Sequence, residues 1–259
     1  MIYIIGGNGF VGSGFVRVLK AQGVEHVVIT KDNFDIYSGL ECDLLINANG
    51  NSKKYLSEQN PMLDFNLSVN SVLDSLLRFK YKKYIYLSSG DVYPNQSNPD
   101  LTREDQQFDV SKQSRYGLHK FLAEQMVKNY AKNWLIFRMG GFVGEGLKKN
   151  AVFDILNNQD VWLTQDSELQ FINTNTAATM MLEIATSDLS NEVINFGGDG
   201  VIKISDIYKE ANSSSCYLPN AKKIRFELNL DKLKKIAKRK IPTSNNEVID
   251  YIKLKKELI

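Results

Sequence analysis

Tyr116 and Lys120 stand four residues apart in the stretch YGLHK, a spacing that puts two side chains on one face of a helix. A tyrosine alone titrates near about pH 10, too high for proton transfer at neutral pH. A neighbouring ammonium stabilises the phenolate and lowers that value. So placed, Tyr116 can take or give the proton of a substrate hydroxyl. A serine on the preceding strand would hold the same oxygen. LSSGDVYP, residues 87–94, offers one, with Asp91 and Tyr93 beside it. In isolation the Tyr/Lys pair reads more readily as an ordinary surface pair, so the rest of the chain must decide.

The partner reagent is suggested by IIGGNGFVGSGF, where Gly6, Gly9 and Gly12 follow an apolar run and precede a helical pattern. One glycine permits a tight turn and another lets the backbone approach a pyrophosphate. The third allows close helix–strand packing, while the helix N-terminus offers free N–H groups to the phosphates. This predicts dinucleotide binding. An acid at the end of the second strand would bond the ribose hydroxyls and favour NAD. Here that strand ends at Thr30 and continues Lys31-Asp32. Thr30 and Lys31 suit a 2′-phosphate, whereas Asp32 suits the hydroxyls if the strand runs two residues further. The reading favours NADP over NAD.

These groups need a scaffold, and the periodicity supplies one. MIYII, HVVIT, CDLLINA, KYIYLSS and WLIFRM read as strands. FVGSGFVRVLKAQG, PMLDFNLSVNSVLDSLLRFK and YGLHKFLAEQMVKNYA read as helices, the second with Pro61 near its start. Alternation of this kind predicts an α/β fold, a Rossmann-type doubly wound parallel sheet covered on both faces. The gap between HVVIT and CDLLINA is too short for a full crossover helix. Past about residue 145 the alternation breaks. Residues 1–145 are read as the dinucleotide-binding domain and 146–259 as a small C-terminal substrate lobe interleaved with the end of the main sheet.

The composition, 43% hydrophobic and 24% charged over 259 residues, is that of an ordinary globular protein. Two distant cysteines, Cys42 and Cys216, and two histidines give no metal-ligand spacing, so no metal is expected. A formal charge of +2 argues against nucleic-acid binding. The basic stretch DKLKKIAKRK, Asp231 to Lys240, has apolar residues at helical spacing and reads as a solvated helix face rather than a phosphate site. No membrane span or signal peptide is read, and a cytoplasmic location is expected.

The order of motifs, GxxGxxG, LSSGDVY, YGLHK and FRMGGFVG, resembles the extended short-chain dehydrogenase/reductase family, which includes nucleotide-sugar epimerases, dehydratases and 4-keto reductases. The resemblance extends over nearly the whole chain. It implies that Ser89, Tyr116 and Lys120 are catalytic, with Lys120 also on the nicotinamide ribose. It implies cofactor contacts from Gly6, Gly9, Phe10, Val11 and Gly12, from Thr30 and Lys31, and from Asn47, Ala48 and Asn49 in INANG. Leu87 and Met139 at later strand ends, with Tyr116 and Lys120, complete that set. Asn66 matches the family's helical asparagine, while His119 is expected to face away from the chemistry. Asp91, Tyr93, Gly141 and Lys149 are candidate substrate contacts. The family habit also suggests a homodimer.

The chain departs from the family pattern in places. Gly141 and Glu145 replace an asparagine and a proline, and Gln170 stands where many relatives carry a diphosphate-binding arginine. Lys148, Lys149 and Arg225 are possible replacements. Related 4,6-dehydratases carry two proton-transfer groups after the serine or threonine, held at different pKa values. Here Gly90 fills the first place and Asp91 the second, so Asp91 reads as a turn residue or a substrate-hydroxyl contact rather than a general base. The function expected is hydride transfer at C4 of a sugar nucleotide, 4-keto reduction being favoured. The alternatives are an NAD-dependent 4-epimerase or, less favoured, a 4,6-dehydratase, a reductase of a non-nucleotide carbonyl, and a non-catalytic cofactor sensor.

Overall fold

The computed structural model describes residues 1–257. The first half alternates as the periodicity predicts: β1 (Ile2–Ile5), α1 (Gly12–Ala21), β2 (His26–Ile29), the single turn α2 (Phe34–Tyr37) and β3 (Glu41–Asn47). A helical run follows, α3 (Leu56–Gln59), α4 (Pro61–Phe65) and α5 (Ser71–Arg78), then β4 (Lys80–Ser89), α6 (Arg115–Tyr130) and β5 (Trp134–Met139). The remainder is made of shorter pieces. These are β6 (Gly141–Val143), α7 (Ala151–Leu156), β7 (Val161–Leu163), β8 (Glu168–Leu169), β9 (Phe171–Asn173), α8 (Thr174–Ala185) and β10 (Glu192–Phe196). After them come β11 (Ile202–Lys203), α9 (Ile204–Ala211), β12 (Tyr217–Lys222), β13 (Arg225–Phe226), α10 (Asp231–Ile236) and α11 (Ser244–Glu257).

Six strands form one sheet in the order β2-β1-β3-β4-β5-β10, and every pairing in it is parallel. This is the Rossmann-type sheet that the alternation predicts. The chain leaves β2 at the edge and returns on the far side of β1 to make β3, so the strand order reverses at β1/β3. The crevice beyond the carboxyl ends of those strands is where open sheets of this kind bind ligands. The crossover between β2 and β3 is abbreviated to the one turn of α2, as its length requires.

The sheet separates two cores, and β4 shows how the two-residue period serves both. Ile85 and Leu87 join Ile4, Phe15, Ile46 and Met181 on one face. Tyr84 and Tyr86 join Tyr3, Leu45, Val72 and Leu76 on the other. Each large apolar side chain so buried contributes about 1.5–3 kcal/mol. A third cluster, including Val152, Ile155, Ile204, Ile207 and Val248, lies under the smaller elements. That part is tied to the main sheet twice, because β10 completes the sheet and α8 packs on α1. The α1–α8 approach needs Gly14, where a Cβ would sit 2.6 Å from the Thr174 carbonyl oxygen.

Two expectations are corrected. The helix expected from Pro61 onward is a continuous helical path only because a π turn, Asn66–Asn70, joins α4 to α5. Its N-terminus is built as the sequence suggests, with the Asn60 side chain accepting from Leu63 N (3.1 Å) and Pro61 in the first turn. The basic helix stops at Ile236, short of Lys240. Three of the stretch's cations make ion pairs: Lys232 with Glu192, Lys234 with Asp199, and Arg239 of the following segment with Glu183.

Candidate active site

The glycine loop is shaped by contacts that exclude a Cβ. Gly6 has φ +78°, in the left-handed region, and a Cβ there would lie 2.9 Å from the Ala48 carbonyl. A Cβ on Gly12 would lie 2.2 Å from the Gly6 oxygen. The loop is closed by Gly9 N donating to Gly6 O at 2.9 Å. Among the described residues, the N–H groups of Phe10, Val11 and Gly12 have no backbone acceptor outside α1 itself. Three free donors at the start of a ten-residue helix, over a floor with no side chain, fit the pyrophosphate of a dinucleotide. Ala48 and Asn49, just past β3, form the opposite wall. Asn47 does not: it is fully buried, donating to Tyr84 Oη (2.8 Å) and Ser75 Oγ (3.1 Å) and accepting from Asn49 N (3.0 Å). Its part is to shape the loop, because its side chain has no free group for a ligand.

At the end of β2, Thr30 N donates to Asn33 Oδ1 (2.7 Å), and Asn33 Nδ2 to Val28 O (3.0 Å). These two bonds from the Asn33 side chain hold the strand end at Ile29, leaving Thr30 partly buried and Lys31 and Asp32 exposed.

Across the crevice α6 presents both Tyr116 and Lys120. Ser114 caps the helix by accepting from Gly117 N at 3.0 Å, and a Cβ on Gly117 would lie 2.1 Å from the Asp91 carbonyl oxygen. That glycine lets α6 press against the turn after β4, bringing Tyr116 to Ser89. Burial raises the Tyr116 pKa, and the charges of Asp91 and Asp64 raise it further; the Ser89 hydroxyl alone opposes them through a hydrogen bond. Lys120 is 5% exposed, and its Nζ donates to Leu87 O (3.1 Å) and Tyr86 Oη (3.3 Å). Burial lowers its pKa to about 8, against the attraction of Glu124, Asp64 and Asp91. Gly50 passes close above, where a Cβ would be 3.2 Å from Nζ.

Ser89 donates to Asp91 Oδ2 at 2.7 Å and accepts from Asp91 N at 3.2 Å, capping a short 3-10 turn. The other carboxylate oxygen of Asp91 accepts from Lys54 Nζ at 2.7 Å. Both oxygens are therefore engaged, and Asp91 orients Ser89 rather than standing free. Lys54 in turn sits 6.0 Å from the Tyr116 ring centroid and 5.9 Å from that of Phe226. Phe226 and Leu228 close the site from the smaller part of the chain. A Cβ on Gly90 would lie 2.7 Å from Leu228 and 2.9 Å from Phe226.

Other candidates fall elsewhere. Tyr93, expected at the substrate, is 1% exposed and its hydroxyl is taken by Asn195 Oδ1 (2.9 Å) and Arg138 Nη1 (2.9 Å). It belongs to a buried network in which Arg138 pairs with Glu124 (2.8 Å) and Ser88 donates to Glu124 (2.6 Å). Gly141 is packed for a structural reason: it pairs in β6 with β9, and a Cβ would strike the Phe171 ring at 2.7 Å. Asn66 is exposed and bonded to Asn70, on the outside of the π turn. Leu87 serves through its carbonyl, and Met139 is partly buried at the carboxyl end of β5. Lys149 reaches Ser52, whose carbonyl and hydroxyl (3.1 Å) both accept from it.

Sequence reasoning missed Asp64. It is fully buried, accepting from Asn51 Nδ2 (2.7 Å) and bonded to His119 Nδ1 (2.6 Å). It thus ties the loop after β3 to α6, one residue from Lys120, and His119 turns away from the crevice to meet it. The available signal was an acid four residues before Ser68 and eight before Val72 on the buried face of that helix. Lys54 carried no signal, since only folding brings it to Asp91.

Residues 2–197 match the model of a family described as "NAD dependent epimerase/dehydratase family". A search of curated proteins finds no match. Among solved structures, MoeE5 in complex with UDP-glucose and NAD superposes with a TM-score of 0.82 at 12% identity, covering 100% of this chain and 99% of that one. A UDP-galactose 4-epimerase gives 0.78 at 20% identity, over 100% and 99%. The dTDP-4-dehydrorhamnose reductase of Bacillus anthracis, in complex with NADP, gives 0.78 at 15% identity, over 98% of each chain. At such identities the likeness concerns the fold.

Proposed function

The chain belongs to the NAD-dependent epimerase/dehydratase family, and from that premise we propose that it transfers a hydride at C4 of a nucleotide-activated sugar, reducing a 4-keto group. The observation that carries this reading is the turn after β4. Dehydration needs an acid and a base of separated pKa. Gly90 has no proton to give, and Leu228 and Phe226 fill the space a longer side chain would need. Asp91 has both oxygens committed to Ser89 and Lys54. What remains is the equipment for one hydride and one proton. Solved relatives of the same fold include both an epimerase and a 4-keto reductase, which supports the sugar-nucleotide class without dividing it.

A nicotinamide dinucleotide, when bound, supplies the hydride. The free N–H groups of Phe10, Val11 and Gly12 would hold its pyrophosphate, and Lys120 its nicotinamide ribose. Tyr116 gives a proton to the carbonyl oxygen as charge develops there. The Lys120 ammonium, expected to favour its phenolate, is instead bonded to Leu87 O and Tyr86 Oη, and the Ser89 hydroxyl is the group that favours it. Ser89, held by Asp91, sets the position of that oxygen. NADP is favoured over NAD because the fixed strand end presents Thr30 and an exposed Lys31 ahead of Asp32. A 4-epimerase would use the same three residues and is the second reading.

The test is to purify the protein without added cofactor, denature it and identify the nucleotide released. An empty site that afterwards binds NADPH more tightly than NADH supports the reductase. Near-stoichiometric NAD, regenerated within each cycle, replaces it with the epimerase. Failure to bind either cofactor sinks both.

A further inference from the structure

Two carboxylates are wholly buried among the described residues, Glu124 and Asp64, and they are compensated differently. Glu124 faces the Arg138 guanidinium at 2.8 Å. Asp64 has no lysine or arginine within ion-pair distance among the described residues. Its Oδ1 accepts from Asn51 Nδ2 (2.7 Å) and Ser68 Oγ (3.4 Å), and its Oδ2 meets His119 Nδ1 at 2.6 Å. The Phe65 ring stands edge to face against that imidazole, with centroids 5.4 Å apart. Burying a carboxylate without a guanidinium or ammonium partner is costly to the fold. Neither the hydride step nor the proton step described above uses it.

What Asp64 adjoins is Lys120. His119 is the preceding residue on α6, and Asn51 follows Gly50, whose backbone passes over Lys120 Nζ. Asn51 also donates to Lys53 O (2.8 Å) and accepts from Lys53 N (2.7 Å), so the loop is folded on itself where Asp64 holds it. The amine thus lies between β4, where Leu87 O and Tyr86 Oη accept its protons, and a loop pinned to α6. Along α6, Tyr116 stands one turn before it and Glu124 one turn after, and Asp91 acts on it from the turn after β4. Of the three carboxylates, Glu124 is offset by Arg138 and Asp91 by Lys54 at 2.7 Å. That leaves Asp64 as the one whose charge meets no guanidinium or ammonium directly. Burial depresses the Lys120 pKa, and the charge of Asp64 opposes that fall.

We propose that Asp64 is a positioning residue for Lys120, its carboxylate fixing the loop after β3 against the amine and supplying the buried negative charge that holds the amine as an ammonium. This rests on the reading of Lys120 as the group that meets the nicotinamide ribose. Charge and tether act on the amine in opposite senses. Removing the charge favours the neutral amine, whereas releasing the loop lets water reach it and favours the ammonium.

The test is an NMR titration of protein labelled with carbon-13 at the lysine Cε, the Lys120 signal being the one absent from K120M. In the wild type that signal is expected to titrate at about 8. D64N removes the charge and keeps the bonds, because the new amide accepts from Asn51 and donates to His119 with the imidazole proton moved to Nε2. Its midpoint is expected about one pH unit lower. N51A keeps the charge and frees the loop, and its midpoint is expected to rise. A D64N midpoint equal to that of the wild type overturns the proposal, since a merely structural carboxylate would alter stability without moving the titration. Should D64N not fold, N51A decides, and a midpoint there that fails to rise overturns the fixing of the loop against the amine. Saturating nicotinamide dinucleotide is expected to shift the Lys120 signal. A signal that titrates as expected yet ignores a bound cofactor overturns the placement of Lys120 at the ribose, and the part of Asp64 in the reaction falls with it.

Discussion

Replacing Lys120 by methionine should end activity and remove a pH-dependent cost to stability whose size follows from the burial of the amine. Lys120 is 5% exposed, and its pKa falls from 10.5 to about 8 through burial, despite the attraction of Glu124, Asp64 and Asp91. A lysine whose folded pKa is depressed costs the folded state most when it is charged in both states, which is below about pH 8. That cost fades as pH rises from the folded value towards the unfolded one. At neutral pH the cost is about 3 kcal/mol, and by about pH 9.5 only about 1 kcal/mol remains. Stability relative to Lys120→Met should therefore climb by about 2 kcal/mol between about pH 7 and pH 9.5. Urea unfolding of both proteins at a series of pH values measures this, and the difference between them cancels tyrosines and other groups common to both. The comparison does not depend on the hydrogen bonds to Leu87 and Tyr86 lost with the amine, which offset the curve without tilting it. Parallel stability curves would refute the reasoning. They would mean that the ammonium is not strained by its burial.

Gly90→Asp should cost about 1–3 kcal/mol of stability, because its Cβ would lie 2.7 Å from Leu228 and 2.9 Å from Phe226, and should give no water-eliminating activity when products are analysed by mass spectrometry. Glu124→Leu leaves the Arg138 guanidinium buried without its partner and should destabilise by about 3–5 kcal/mol in chemical denaturation. The double variant Glu124→Leu with Arg138→Met should recover most of that loss, since removing both ends of a buried pair leaves no uncompensated charge.

The sheet, the glycine loop and the Tyr116/Lys120 pair were legible because each depends on local spacing. A two-residue period, a glycine every third residue and a four-residue helical step all survive in the bare sequence. The errors share a different cause. Tyr93 looks like a substrate contact until Arg138 and Asn195, 45 and 102 residues away, are seen to saturate its hydroxyl. Asn66 and Asp64 differ by two residues, and the π turn that follows Asp64 sends one outward and leaves the other buried against His119. Periodicity assumes 3.6 residues per turn and has no means of marking the turn that takes more. The short C-terminal strands were seen only as extended stretches, because two or three residues carry too little period to assign their partners.

The turn LSSGDVYP couples one glycine to the segment that closes over it. A Cβ at position 90 and the side chains of Leu228 and Phe226 compete for the same volume, so the glycine and the closing segment belong together. With that volume filled by apolar atoms, the neighbouring carboxylate of Asp91 has neither an acidic partner nor a free oxygen. It is turned instead to Ser89 on one side and Lys54 on the other. Ser89, with its proton directed to Asp91, faces Tyr116 as an acceptor, and it becomes a donor to a substrate oxygen only by rotating its hydroxyl. The loop that carries Lys54 is fastened by Asn51 to Asp64, which also holds His119 on α6. The residues that orient the serine and those that carry the tyrosine are thus joined through one buried carboxylate.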